Sequence, residues 1–205
     1  MPIECTQIRN AVTAFNNNTR YVNDEKTLKR ALASTQRPET DLACWLANTF
    51  LVAEWGSLGW VSFVDRVLIA EEIYRAWPQI LNHRQLTLDA WLNNQQIMDD
   101  AINDLATTQL LKPPGTENTQ LSFMSKMLHW CVNPIFPIWD GNARTAMTKN
   151  KETPNDERSW NSYKDWTRLI SKQLREHRVN CLQELATDGE CVVRTLDKAL
   201  YIIGG

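Results

Sequence analysis

Between Ser125 and Arg144 this 205-residue chain sets one cation among apolar neighbours and one carboxylate at a helix start, residue types that can do chemistry. Lys126 is the one cation in Ser122-Phe123-Met124-Ser125-Lys126-Met127-Leu128-His129-Trp130, a predicted helix with apolar neighbours around the amine. Asp140 closes Asn133-Pro134-Ile135-Phe136-Pro137-Ile138-Trp139-Asp140 and precedes Gly141-Asn142-Ala143-Arg144. Two prolines hold that stretch out of helical conformation as a rigid crossing. They deliver Asp140 to the N-cap of the next helix, with Arg144 one turn along. An amine in semi-apolar surroundings gives up its proton more readily and becomes a nucleophile. A fixed carboxylate nearby stabilises developing positive charge. Each residue also has a plain structural role, the aspartate as a helix cap and the lysine as a snorkelling side chain.

Ser-Lys-Met-Leu-His-Trp over 125–130, followed by Phe-Pro-Ile-Trp-Asp-x-x-x-Arg over 136–144, resembles the core of the helix–hairpin–helix DNA glycosylase superfamily. The bacterial branch similar to 8-oxoguanine DNA glycosylase is the nearest in pattern. The tail Arg194-Thr195-Leu196-Asp197-Lys198-Ala199-Leu200-Tyr201 resembles the closing helix of such proteins more loosely, and the first 110 residues contribute only helical character. The resemblance implies a glycosylase that flips a modified or damaged base out of double-stranded DNA and cleaves its N-glycosidic bond, in repair or in defence against phage with modified DNA. Lys126 then attacks the sugar C1′ or acts there without a covalent step, and Asp140 stabilises the oxocarbenium-like sugar. Phe123, His129, Trp130, Phe136 and Trp139 are near enough in sequence to supply the base pocket. Residues 116–125 lack the glycines of a phosphate-gripping hairpin, so backbone contacts are expected from Arg144, Lys149, Lys151, Arg158, Lys164 and Arg168.

The elements that must position these residues read as helices. Only seven glycines and few β-branched runs leave little material for strands. Helical spacing is predicted for 4–16, for a short helix from Asp24 to Ser34, and from Thr40 or Asp41 to about Gly56. Further helices are predicted from Val61 to Trp77, broken by Pro78, and for one long stretch from Thr87 to Leu111. Lys112-Pro113-Pro114-Gly115 is the clearest break. Beyond it come a helix at 117–132, the crossing, a helix from Asp140, another at 155–178, and a last one from Asp188 to Ile203. The expected fold is all-α, an irregular globule of eight or nine helices forming one domain over 1–205, glycosylase-like, with two lobes dividing near 112–116.

Nine tryptophans point first to an aromatic-rich core. No apolar run is long enough to span a bilayer and no signal peptide is evident, so a cytoplasmic protein is expected. The five cysteines lack C-x-x-C spacing and the three histidines are scattered; neither a metal nor a cofactor is expected, and Cys181 with Cys191 cannot hold an iron–sulfur cluster. Net charge is −2, but residues 1–38 carry +3 and 119–178 carry +4 against −7 over 39–118. A polyanion responds to such local patches, so DNA binding is compatible with the acidic total. Two other readings stand beside the enzyme. One is a non-catalytic nucleic-acid- or protein-binding module, an immunity or regulatory protein. The other is a metal-dependent nuclease using Asp99, Asp100 and Asp104, against the plainer reading of a solvated acidic face. A monomer is expected.

Overall fold

Short polar side chains cut this chain into helices by capping their first amides. The structure is a computed structural model that describes residues 3–34, 41–56, 61–116, 118–155, 157–187 and 189–205, and only the backbone of 179 and 180. Among the described residues the regular elements are all helical, with α1 at Cys5–Asn17, α2 at Thr19–Ser34, α3 at Leu42–Trp55, α4 at Phe63–Leu81, α5 at Leu88–Asn93 and α6 at Gln95–Ala106. Then follow α7 at Leu121–Met127, α8 at Gly141–Lys149, α9 at Trp160–His177, the short α10 at Gln183–Leu185 and α11 at Val192–Gly204. Two π-helical turns, Leu128–Val132 and Arg178–Leu182, extend α7 and α9.

Several boundaries differ from the predicted ones, each for a local reason. Asn18, not Asp24, starts α2: its Oδ1 accepts from the amides of Arg20 at 3.1 Å and Tyr21 at 3.2 Å. Asp24 lies within the helix, paired to Arg20. Pro78 does not end α4, because Trp77 and Ile80 beside it are buried, and their burial outweighs the one hydrogen bond the ring removes. The predicted 87–111 helix is two helices, since Asn94 turns extended (φ −142°, ψ 101°) and caps the Gln96 amide at 3.1 Å. The helix expected over 155–178 starts at Trp160, where Ser159 caps the Ser162 amide. Thr40, Glu117 and Asp188, named in the predicted boundaries, lie outside the described residues. At the predicted break, Gly115 takes φ +89°, a conformation that favours glycine.

The core is aromatic and continuous. Trp45, Trp91, Trp166, Tyr163, Phe123 and Phe136 are fully buried, and Trp45 meets Trp77 at 4.7 Å between ring centroids. One helix organises the site. The apolar side of α11, Val193, Leu196, Ala199 and Leu200, is buried, and the helix lies against both α1 and α8. At Gly204 the two backbones come so close that a Cβ would stand 1.7 Å from the Asn142 carbonyl oxygen. The chain's last helix is thereby pressed onto the helix that Asp140 caps, with α1 on its other side. None of the described helices is long and apolar enough to cross a membrane.

Candidate active site

The crossing 133–139 has no sheet neighbour, and Pro134 and Pro137 have no amide to donate, so its backbone polar groups must find side chains. They do so in succession. His129 Nδ1 donates to the Phe136 carbonyl at 2.9 Å, the Tyr163 hydroxyl to Pro137 at 2.9 Å, and the Trp166 indole N–H to Ile138 at 3.1 Å. The Trp139 amide donates to Ser125 Oγ at 3.0 Å. At the near end, Asn133 Nδ2 donates to the carbonyls of Leu86 at 2.8 Å and Arg84 at 3.1 Å. Full burial pushes the His129 pKa down to about 3, Arg194 adding to the effect against the Phe136 bond, so the ring is neutral and serves as a fixed donor.

This rigid run ends on Asp140, whose Oδ1 accepts from the Asn142 amide at 2.9 Å as the N-cap of α8. The other oxygen, Oδ2, stands 3.4 Å from Lys126 Nζ. The Lys126 amine also donates to Ser122 Oγ at 3.1 Å, one turn back on α7. Its side chain is 5% exposed, against 25% for Asp140. Burial lowers the Lys126 pKa, while Asp140 and Asp197 pull it back up. The cap and the lysine, each ordinary alone, thus share one carboxylate, one oxygen structural and one facing the amine.

Both groups open into a cavity of about 260 Å³. Ile138 and Ala143 line it beside them, and its other walls come from the N-terminal helices and α11. From α11 come Arg194, Asp197 and Tyr201, spaced i, i+3 and i+7 on one helical face. From the N-terminal helices come Phe15, Arg20, Tyr21, Asp24 and Trp55. The Phe15 ring lies 5.2 Å from Tyr21, and Tyr201 stands edge-on to Tyr21 at 5.7 Å, so the mouth is an aromatic collar. Arg194 is a buried cation held from several sides: Nη2 reaches Glu25 Oε2 at 3.1 Å, and the guanidinium lies 5.3 Å from the Trp55 ring and 5.5 Å from those of Phe15 and Trp130. Burial would raise the Glu25 pKa, but Arg194, Lys29 and Lys198 hold it down to about 2.

Asp197 is the outlier. It is buried, and neither carboxylate oxygen makes a well-formed hydrogen bond among the described residues. Burial drives its pKa up to about 8, with Asp140 adding to the rise and Arg194, the Ile138 backbone and Lys126 opposing it. At neutral pH the carboxyl keeps its proton and faces the cavity as an acid.

Lys126 and Asp140 are therefore brought together, whereas the aromatic residues expected from the sequence are placed elsewhere. Phe123, His129, Phe136 and Trp139 are buried core residues, and none of them lines the cavity. Their work is to pack α7 and the crossing. Trp130 is half-buried and stands one layer behind the lining, edge-on to Trp55 at 5.2 Å. The lining aromatics Phe15, Tyr21, Trp55 and Tyr201 were missed because they lie far from Lys126 in sequence. The available signal was α11, where Arg194, Asp197, Lys198 and Tyr201 share one face of an otherwise apolar helix.

The basic residues expected on phosphate are mostly engaged within the chain. Arg168 is bound to Asp99 at 2.6 Å and Asp165 at 2.9 Å, Lys149 donates to the Ile203 and Gly204 carbonyls, and Lys164 donates to Asn161. Arg144 stacks over Trp139 at 4.1 Å, while Lys151 and Arg158 are exposed between α8 and α9. Arg20 is instead the strongly exposed cation at the cavity itself. The acidic trio is dispersed too: Asp99 takes Arg168, Asp100 takes Gln96, Asp104 takes His83 and Gln79, and these three form no metal-ligand cluster among the described residues. The chain matches no protein-family model, and no curated protein or solved structure matches it.

Proposed function

We propose that this protein is a DNA glycosylase that receives a flipped, modified base in the cavity between α1, α3 and α11 and cleaves its N-glycosidic bond. The observation that carries the reading is the Lys126 Nζ to Asp140 Oδ2 approach of 3.4 Å inside a cavity with an aromatic collar. A volume of about 260 Å³ is near the lower end of small-ligand pockets, roughly 300 Å³, which suits a single base better than a larger ligand. Aromatic faces stack a base without regard to its sequence context. In the reaction Lys126, as the neutral amine, bonds to C1′ while the C1′–N bond breaks and its electron pair leaves with the base. Asp140 offsets the positive charge on the sugar, and protonated Asp197 is placed to supply the proton the departing base needs.

The test is base release and borohydride trapping on duplexes carrying oxidised, alkylated or phage-type hypermodified bases. Wild type is expected to release base and form a trapped adduct on at least one of them. Lys126→Gln should abolish trapping and cut release by roughly 10⁴-fold or more, and Asp140→Asn should cut it by about 10²–10³-fold. Base release without trapping would mark a hydrolytic route. No release from any duplex, with salt-insensitive and negligible DNA affinity, would overturn the reading in favour of a protein-binding module.

A further inference from the structure

We propose that Cys5, His177 and Cys181 bind a thiophilic divalent metal ion, zinc by preference, that fastens the start of α1 to the turn after α9. Cys5 is the first residue of α1, whereas His177 ends α9 and Cys181 follows four residues later in the π-turn, so the site joins two stretches far apart in the chain. Cys5 Sγ lies 2.8 Å from Cys181 Sγ and 3.6 Å from His177 Nδ1, and all three ligand atoms fall within 4.8 Å of one another. Metal–sulfur bonds of ~2.3 Å and metal–nitrogen bonds of ~2.0–2.1 Å at tetrahedral angles require edges of about 3.5 Å for S···N and about 3.8 Å for S···S. The Cys5–His177 edge is already in place, the Cys181–His177 pair lies within 4.8 Å, and the sulfur pair has to open by about 1 Å.

A second observation points the same way. His177 is buried, its Nε2 makes no hydrogen bond among the described residues, and the partner found for Nδ1 is the Cys5 sulfur. A buried imidazole is ordinarily hydrogen-bonded through at least one nitrogen to oxygen. Here the ring instead aims a nitrogen at a thiol pair, the set of neutral nitrogen and sulfur donors that zinc selects. A disulfide between the two cysteines would leave that imidazole without use. Cys5 is half-buried, leaving one side open for water as the fourth ligand. The Arg9–Glu184 ion pair at 2.6 Å bridges the same two elements alongside. Binding replaces two S–H bonds by metal–sulfur bonds and releases two protons to solvent. None of the three residues lines the cavity, so the site is independent of the glycosylase reading.

The experiment uses the purified chain, stripped with a chelator and titrated with cobalt(II) and then zinc(II). One equivalent of cobalt is expected to give the visible bands of a tetrahedral ion and near-ultraviolet thiolate charge transfer, both displaced by zinc. Zinc should raise the melting temperature by roughly 4–8 °C. Cys5→Ser, at the half-exposed helix start, should lose the charge transfer from one thiolate and weaken binding at least 100-fold. Cys181→Ala should do the same; if it fails to fold, Cys5→Ser and a His177→Asn variant carry the test. A wild-type protein that gives no cobalt spectrum overturns the proposal, whether its thiols stay free toward a thiol reagent or oxidise to a Cys5–Cys181 disulfide. Base release remains a separate readout, so failure of the metal site and failure of the enzymatic reading are distinguishable.

Discussion

The crossing and the cavity are adjacent, yet they treat polar groups in opposite ways. Along 136–139 each of three successive carbonyls receives a buried side-chain donor, and the next amide reaches Ser125. Beyond Asp140, and among the described residues, neither oxygen of the buried Asp197 makes a well-formed hydrogen bond and Arg194 Nε has no hydrogen-bond partner. Unpaired buried polar groups are costly, so a fold keeps them where something other than stability is served. The crossing's carbonyls are hydrogen-bonded and hold Asp140 in place, although the Trp139 indole N–H is unpaired among the described residues; the cavity gathers an unpaired carboxyl and an unpaired guanidinium nitrogen on one wall. The two regions also titrate in opposite directions. His129 has its pKa lowered from 6.5 to about 3, so its contribution is full above 6.5 and is lost as pH falls toward 3. Asp197 has its pKa raised from 3.8 to about 8, so its contribution is full below 3.8 and is lost as pH rises through 8.

The largest effect expected is at Asp197. Asp197→Asn removes the loss that accumulates between about pH 4 and pH 8 and should leave the variant more stable than wild type at pH 9, by up to about 5 kcal/mol, with little difference near pH 4. Urea unfolding across that range checks it, and a constant difference between the two proteins would break the contrast. In the crossing, Phe136→Ala should lose about 3–5 kcal/mol at pH 7, measured the same way, because Phe136 is fully enclosed. Tyr163→Phe leaves the Pro137 carbonyl buried without its donor and should cost roughly 1–2 kcal/mol. Smallest is Tyr201→Phe at the aromatic collar. It should change stability by less than about 0.5 kcal/mol while altering affinity for a modified duplex, read by fluorescence anisotropy.

Much of this architecture was legible from local chemistry. The helical periodicity, the caps at Asp41, Thr87 and Asp140, and the break at Lys112–Gly115 are decided within a few residues. They follow from side-chain oxygens meeting free amides and from proline lacking one. Where prediction and structure part, a competing local or packing term won. Asn94 capped a new helix within a continuous periodic run, Asn18 displaced Asp24 as a cap, and the buried Trp77 and Ile80 carried α4 past Pro78.

The candidate site divides along the same line. Lys126 and Asp140 were paired in the sequence through the resemblance, while the Pro-rigid crossing and the cap position that orients the carboxylate follow from local chemistry. The walls around them do not. Phe15, Trp55, Asp197 and Tyr201 reach the cavity only because α3 packs on α7 and α11 packs between α1 and α8, and long-range packing likewise gathers Cys5 with His177 and Cys181. Such encounters depend on burying apolar faces across the whole chain. No window of neighbouring residues records which faces will meet, so the sequence by itself determined how Lys126 and Asp140 are presented, and the tertiary structure decided what surrounds them.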